Sequence, residues 1–142
     1  MNELRPEPLE TGRLADAIAE VAAKWSARHG IPVEVTVTGE PRTMRPEAEV
    51  ALLRTAQEGL ANVGKHAPGA TRVGLTLSYM DHETALDIRD DGPGFDLARP
   101  GGYGLIAMRQ RIEALSGTVQ IESEVGGGTG ISACLPWEEV RA

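Results

Sequence analysis

The chain has 142 residues, 41% of them hydrophobic, which is the size of one ordinary domain around a single core and leaves no room for a second. Its formal charge of −7, with acidic residues spread along the chain and no basic patch, argues against nucleic-acid binding, because such a surface repels phosphate backbones. Apolar runs are a few residues long and the leading MNELRPEPLE is acidic and proline-bearing, so neither a membrane span nor a secretory signal is expected.

In chain order, Leu14, Ile18, Val21 and Trp25 recur at helical spacing over residues 11–29. Thr11 suits the N-cap, and Gly30 with Pro32 stops the pattern. Ile31, Val33, Val35 and Val37 then alternate with Glu34 and Thr36, the period of a strand with one wet face, which Gly39 and Pro41 end. A second helix spans residues 46–66, with Val50, Leu53, Ala56, Leu60 and Val63 as its apolar stripe and Pro46 in its first turn. Val73, Leu75 and Leu77, then Leu86 and Ile88, predict a hairpin around the polar turn at residues 81–83.

Residues 92–104 are rich in glycine and proline and too long for a mere connection. Leu105, Met108, Ile112 and Leu115 mark a third helix, closed by Gly117. Val119 and Ile121, then Ile131, Ala133 and Leu135, make a last strand pair around a turn at 125–130. The single Cys134 falls on the outward phase of that strand, with no second thiol for a disulfide, and reads as inert. About three helices and five one-sided strands need only one layer of cover, so the expected fold is α/β, a two-layer sandwich with the helices on one face of the sheet.

Four clusters of residues carry chemistry. Glu58, Asn62 and His66 follow one another at i+4 on the second helix and Lys65 stands at i+3 from Asn62, so a carboxylate, an amide, an imidazole and a cation share one side. Oxygen ligands of this kind suit Mg²⁺, which keeps several waters and takes other bonds from substrate phosphates; a solvated polar face would carry the same residues. In ALDIRDDGPGFD, the alternation aims Asp90 at the core just before the chain turns at Gly92. An inward carboxylate needs a donor, and the exocyclic amine of adenine is one; an Asp ending a strand in a turn is the plainer reading. Gly92 and Gly94 let backbone pass close to a flat base, although D-x-G-x-G is common in turns.

Gly102 and Gly104 stand immediately before the helix that Leu105 opens, where free N–H groups and the helix dipole attract anions such as a triphosphate; a flexible linker competes with that reading. GGGTG at residues 126–130 is a hairpin turn that also lets Thr129 approach Asp90 from the neighbouring strand and share a water with it.

The order of these clusters, E-x-x-x-N-x-x-K-H on a helix, D-x-G-x-G after a strand, G-x-G-L opening a helix and then G-G-G-T, resembles the nucleotide boxes of the histidine-kinase ATPase superfamily with its Bergerat fold. The match runs from about Pro46 to Trp137. QEGLANVGKHA, DDGPGFD and GYGLIAMRQRIEALSG resemble the two-component kinases that act on NarL-type response regulators, and LRPEPLE is similar to the connector after their dimerisation helices.

The resemblance implies a connector at residues 1–12 and an ATP-binding catalytic domain at 13–142. It implies that ATP and Mg²⁺ are the cofactors, with Asn62 on the metal, Glu58 ordering the metal shell or a water, and Lys65 near the phosphates. Asp90 would read adenine with Thr129, Gly92 and Gly94 beside it. Gly102, Gly104 and Leu105 would belong to a phosphate-covering lid, with residues 95–103 mobile before nucleotide binds. His66 stands where many relatives carry tyrosine, and packing on the ribose and ordinary helix packing are both open to it.

No helix carries the family's phosphoacceptor pattern ahead of the nucleotide boxes, so the resemblance implies a cytoplasmic half-enzyme, monomeric alone. Its partners would be its own dimerisation helices, in a homodimer, and a NarL-type regulator. An anti-sigma-factor serine kinase shares the boxes and is the alternative; LRPEPLE and the M-R-Q-R helix speak against it. A noncatalytic nucleotide-sensing module would be expected to lose Asn62 or Asp90, and both are present.

Overall fold

The computed structural model describes residues 13–94 and 105–137. Thr11, the connector at residues 1–12, the glycine interval 95–104 with Gly102 and Gly104, and the expectation of mobility there lie outside the described residues. The elements are α1 (Arg13–His29), β1 (Val33–Thr38), α2 (Pro46–His66), β2 (Val73–Tyr79), β3 (Glu83–Asp90), α3 (Leu105–Glu113), β4 (Thr118–Ser123) and β5 (Thr129–Pro136).

The five strands form one mixed sheet in the order β1-β2-β3-β5-β4. β1 and β2 are parallel because α2 crosses between them, while the other three pairings are antiparallel. Alternation along β2 buries Val73, Leu75, Leu77 and Tyr79 and leaves Gly74, Thr76 and Ser78 partly exposed. The helices pack side by side, α1 on α2 and α2 on α3, over that covered face. The fold is the expected two-layer α/β sandwich.

Register turns the covered face into four rows that cross β2, β3 and β5. The two middle rows, Leu75–Ile88–Ile131 and Leu77–Leu86–Ala133, are wholly apolar and lie in the core. The outer rows are not: Val73–Asp90–Thr129 ends the sheet on one side and Tyr79–Thr84–Leu135 on the other. The site is built at the first of these ends.

Two apolar stripes differ from the sequence pattern. Val50 is 45% exposed and Leu53 is half-buried, while Ala48, Glu49, Ala51 and Leu52 are buried in their place. Likewise Ala22 is buried on α1 where Val21 is only partly covered. Small residues let α2 lie close to the sheet and to α1, and pattern reading that weighs large side chains passes over them. Gly59 shows the closeness: a Cβ there would stand 2.3 Å from Ile88 Cδ1.

α3 also ends differently from the expectation. Ser116, at φ 66°, adopts the left-handed conformation, and the N–H groups of Ser116 and Gly117 donate to the carbonyls of Glu113 and Ile112. That is a Schellman cap built on serine. Gly117 has a different task, because a Cβ on it would meet the Cys134 carbonyl oxygen at 2.3 Å. Cys134 lies on the outward phase of β5 as expected, and burial pushes its thiol above the ordinary range, which makes it a poor nucleophile.

Candidate functional site

A narrow cleft, open to solvent, runs between the end of α2 and the polar outer row of the sheet. Asn62, Val63 and His66 of α2 form one wall, Ile88, Asp90 and Thr129 the floor, and Leu105 of α3 the far end. Its lining is mostly apolar with a few convergent polar groups, the character of a small-molecule site.

Asp90 is 8% exposed, and its Oδ1 accepts the Gly92 N–H at 2.8 Å. Burial pushes its carboxyl above the ordinary range, the N–H groups of Gly92 and Thr129 pull it back, and the neighbouring Asp91 charge opposes them. The result is a fixed acceptor at the mouth of an apolar floor. Thr129 is its register partner on β5, and the Thr129 hydroxyl lies 2.9 Å from that of Ser123. Ser123, which also donates to the Gly128 carbonyl at 3.2 Å, went unnoticed in the sequence because it belongs to no motif.

The two glycine motifs on either side of Asp90 are one packed unit. Gly94 has φ +68° and a Cβ there would meet the Glu124 carbonyl at 2.1 Å; Gly128 has φ +80° and faces the Asp90 carbonyl at 2.3 Å. Only glycine meets both the torsion and the approach. Gly92 is buried under the end of α2, with Ala67 Cβ 2.7 Å from where its own would stand.

Asp91, next in sequence, is fully engaged outside the cleft. It accepts the N–H groups of Thr71 at 2.7 Å and Arg72 at 3.2 Å and the Thr71 hydroxyl, and these bonds lower its carboxyl to about 2. It ties the segment before β2 to the segment after β3, a role no local pattern announces.

The polar stripe of α2 divides. Asn62 and His66 line the cleft, whereas Lys65 is exposed and outside its lining. No described residue hydrogen-bonds the Asn62 side chain, so its amide oxygen is available to a ligand. Glu58, one turn earlier, accepts two bonds from Arg111 of α3, at 2.7 and 3.1 Å, with Arg54 at 3.6 Å. No cluster of three or more His, Cys, Asp or Glu side chains suited to a metal occurs among the described residues. The Asn62 amide oxygen is a ligand of the kind that suits Mg²⁺, which takes few protein oxygens and the rest from phosphate and water.

A two-layer fold with an apolar cleft that ends on a buried aspartate, between two interlocked glycine turns, is that of an ATPase family. Residues 47–139 match the family described as histidine kinase-, DNA gyrase B- and HSP90-like ATPases, and the chain belongs to it.

Its relatives narrow the type. The sensor histidine kinase MctS of Rhizobium johnstonii is 31% identical over 140 residues, which are 95% of this chain and 30% of MctS. The nitrate/nitrite sensor protein NarX of Escherichia coli K12 is 31% identical over 120 residues, 83% of this chain and 20% of NarX. The chain thus spans a third or less of these curated relatives. The solved mycobacterial sensor histidine kinase MprB superposes with a TM-score of 0.69 at 26% identity, over 89% of this chain and 96% of that one. Sensor kinases of the NarX type are the relatives that the sequence pattern led us to expect, and the anti-sigma-factor alternative is not favoured.

Proposed function

We propose that this chain binds Mg-ATP as the catalytic part of a sensor histidine kinase and passes the γ-phosphate to a histidine on separate dimerisation helices, for onward transfer to a NarL-type response regulator. The observation that carries the reading is the pair Asp90 and Asn62 on one apolar cleft in a chain of an ATPase family. Asp90 accepts the exocyclic amine of adenine, and Ile88 with the glycine turn provides the surface for the ring. Thr129 and the Ser123 hydroxyl behind it hold a water against the base. The Asn62 oxygen takes the metal and Lys65 the phosphate charge; His66 lines the cleft wall one turn on from Asn62. Gly92 and Gly94 shape the base pocket, and Gly102 and Gly104 supply N–H groups to the phosphates.

Asn62 would hold Mg²⁺, which would neutralise phosphate charge. Everything else is positioning: phosphoryl transfer needs the acceptor in line with the γ-phosphate, and in this reading the acceptor is on another piece. ATP as donor places the reaction in the cytoplasm. The full protein works as a homodimer through its dimerisation helices.

The test has two parts. Saturating Mg-ATP or ADP raises the melting temperature, by about 2.7 kcal/mol of stabilisation at a hundredfold excess over Kd; no shift removes the reading. Incubated with γ-labelled ATP and its own dimerisation hairpin, the chain puts acid-labile, base-stable label on the hairpin and none on itself. Acid-stable label on a partner serine would favour the anti-sigma alternative instead.

A further inference from the structure

α3 is nine residues long, too short to hold its shape or place without tertiary contacts. Met108 and Ile112 are its buried seam, and the step of the helix sends Arg109 and Arg111 off opposite flanks of that seam. Arg109 Nη1 donates to the Val119 carbonyl of β4 at 2.7 Å. Arg111 Nη1 and Nη2 donate to Oε1 and Oε2 of Glu58 on α2 at 2.7 and 3.1 Å. The helix is moored at both sides, to the sheet and to α2.

The mooring on α2 falls one turn from Asn62, and the first residue of α3, Leu105, lines the same cleft. The pair is bidentate and three-quarters shielded on the arginine side, with exposures of 24% for Arg111 and 34% for Glu58. A planar fork on both carboxylate oxygens fixes direction as well as distance, which a single lysine contact does not. With both oxygens engaged by Arg111, Glu58 has only their remaining lone pairs to offer a metal or a water.

We infer that Arg111 is a positioning residue for nucleotide binding, acting through Glu58 to hold α3, and with it Leu105, against the cleft that Asn62 lines. The inference rests on the ATP-site reading above. It assigns the Glu58 carboxylate to the joint between two helices and makes Arg111, outside every glycine or asparagine motif, part of the binding machinery.

A double-mutant cycle with calorimetry tests it, using ADP with and without Mg²⁺ at a temperature where every variant is folded, so that lowered stability alone leaves affinity unmoved. Arg111→Ala and Glu58→Ala each weaken ADP about tenfold, the double variant is no weaker than either, and the gain from Mg²⁺ persists in all three. Arg111→Lys recovers part of the loss. If Arg111→Ala does not fold, Arg111→Gln, which keeps most of the stem, replaces it in the cycle. Wild-type affinity in the Arg111 variant overturns the inference, as does loss of the Mg²⁺ gain in Glu58→Ala alone, which would put Glu58 on the metal. Failure of the wild-type chain to bind ADP removes the ATP-site reading and this inference with it, a result distinct from either.

Discussion

The two ends of the covered sheet face carry the same kind of burden and resolve it in opposite ways. At one end Asp90 is buried in the outer row, but backbone N–H groups reach it, glycine turns clear the space before it, and the cleft opens to a ligand. At the other end Thr84 and Tyr79 fill the outer row beneath Glu49, from the first turn of α2. There Trp137 stacks on Tyr79 at 6.2 Å and Arg42 lies 4.0 Å over Trp137, closing the end. Glu49 Oε2 accepts the Met44 N–H at 3.2 Å, while Glu49 Oε1, the Tyr79 hydroxyl and the Thr84 hydroxyl have no hydrogen-bond partner among the described residues. A buried polar group becomes a site where donors and access are built around it, and a cost to stability where they are not.

Removing the closed end's largest buried side chain breaks the comparison most strongly. Tyr79→Ala costs about 3–5 kcal/mol of stability, the range for large aromatic truncations, while ADP affinity of the folded protein stays unchanged. Tyr79→Phe, which deletes only the unpartnered hydroxyl, is neutral or stabilising. Urea unfolding read beside calorimetry separates the two; a loss of ADP affinity in folded Tyr79→Ala would show that the ends are coupled.

At the open end the order of effects reverses. Asp90→Asn leaves stability nearly intact but weakens ADP by about 1–3 kcal/mol, because the amide presents a donor to an adenine amine that also donates. Unchanged affinity takes Asp90 out of the pocket.

Glu49→Gln sharpens the contrast through pH. Burial holds the Glu49 carboxyl above its ordinary 4.5 against the pull of the Met44 N–H, so the folded protein keeps that proton where the unfolded chain has released it. Its stabilisation is complete below 4.5 and is lost as pH rises through the folded value. The neutral amide flattens that part of the stability profile and adds stability above it, on the order of 1 kcal/mol, the size of one buried hydrogen bond. A profile of urea midpoints that keeps its slope in the variant would place the titration elsewhere.

The smallest effect belongs to Asp91 and has the opposite sign. Its carboxyl is lowered to about 2 from 3.8, so its contribution is present above 3.8 and disappears as pH falls through about 2. Asp91→Ala removes the acid limb that this group adds, without changing midpoints relative to one another above pH 5.

Periodicity in the sequence by itself determined the element order, the one-sided sheet, the inward aim of Asp90 and the glycine turns around it. These depend on neighbours two to four residues apart, where backbone geometry alone sets direction. The nucleotide boxes were legible for the same reason, each being a short run on one element. Only the tertiary structure decided what each polar group faces. Glu58 and Arg111 are 53 positions apart and Asp91 and Thr71 are 20, so no local pattern joins them. The seam of α2 moved from Val50 and Leu53 to Ala48, Ala51 and Leu52 because close packing against the sheet and α1 rewards small residues, which a hydrophobicity pattern undervalues. Glu49 on α2 and Asp90 on β3 are both buried acids, at opposite ends of the covered sheet face; alternation aimed Asp90 inward, whereas no pattern in the sequence marked Glu49. What separates a binding site from a structural liability is which groups converge on the carboxylate, and that convergence exists only once the sheet has set its register.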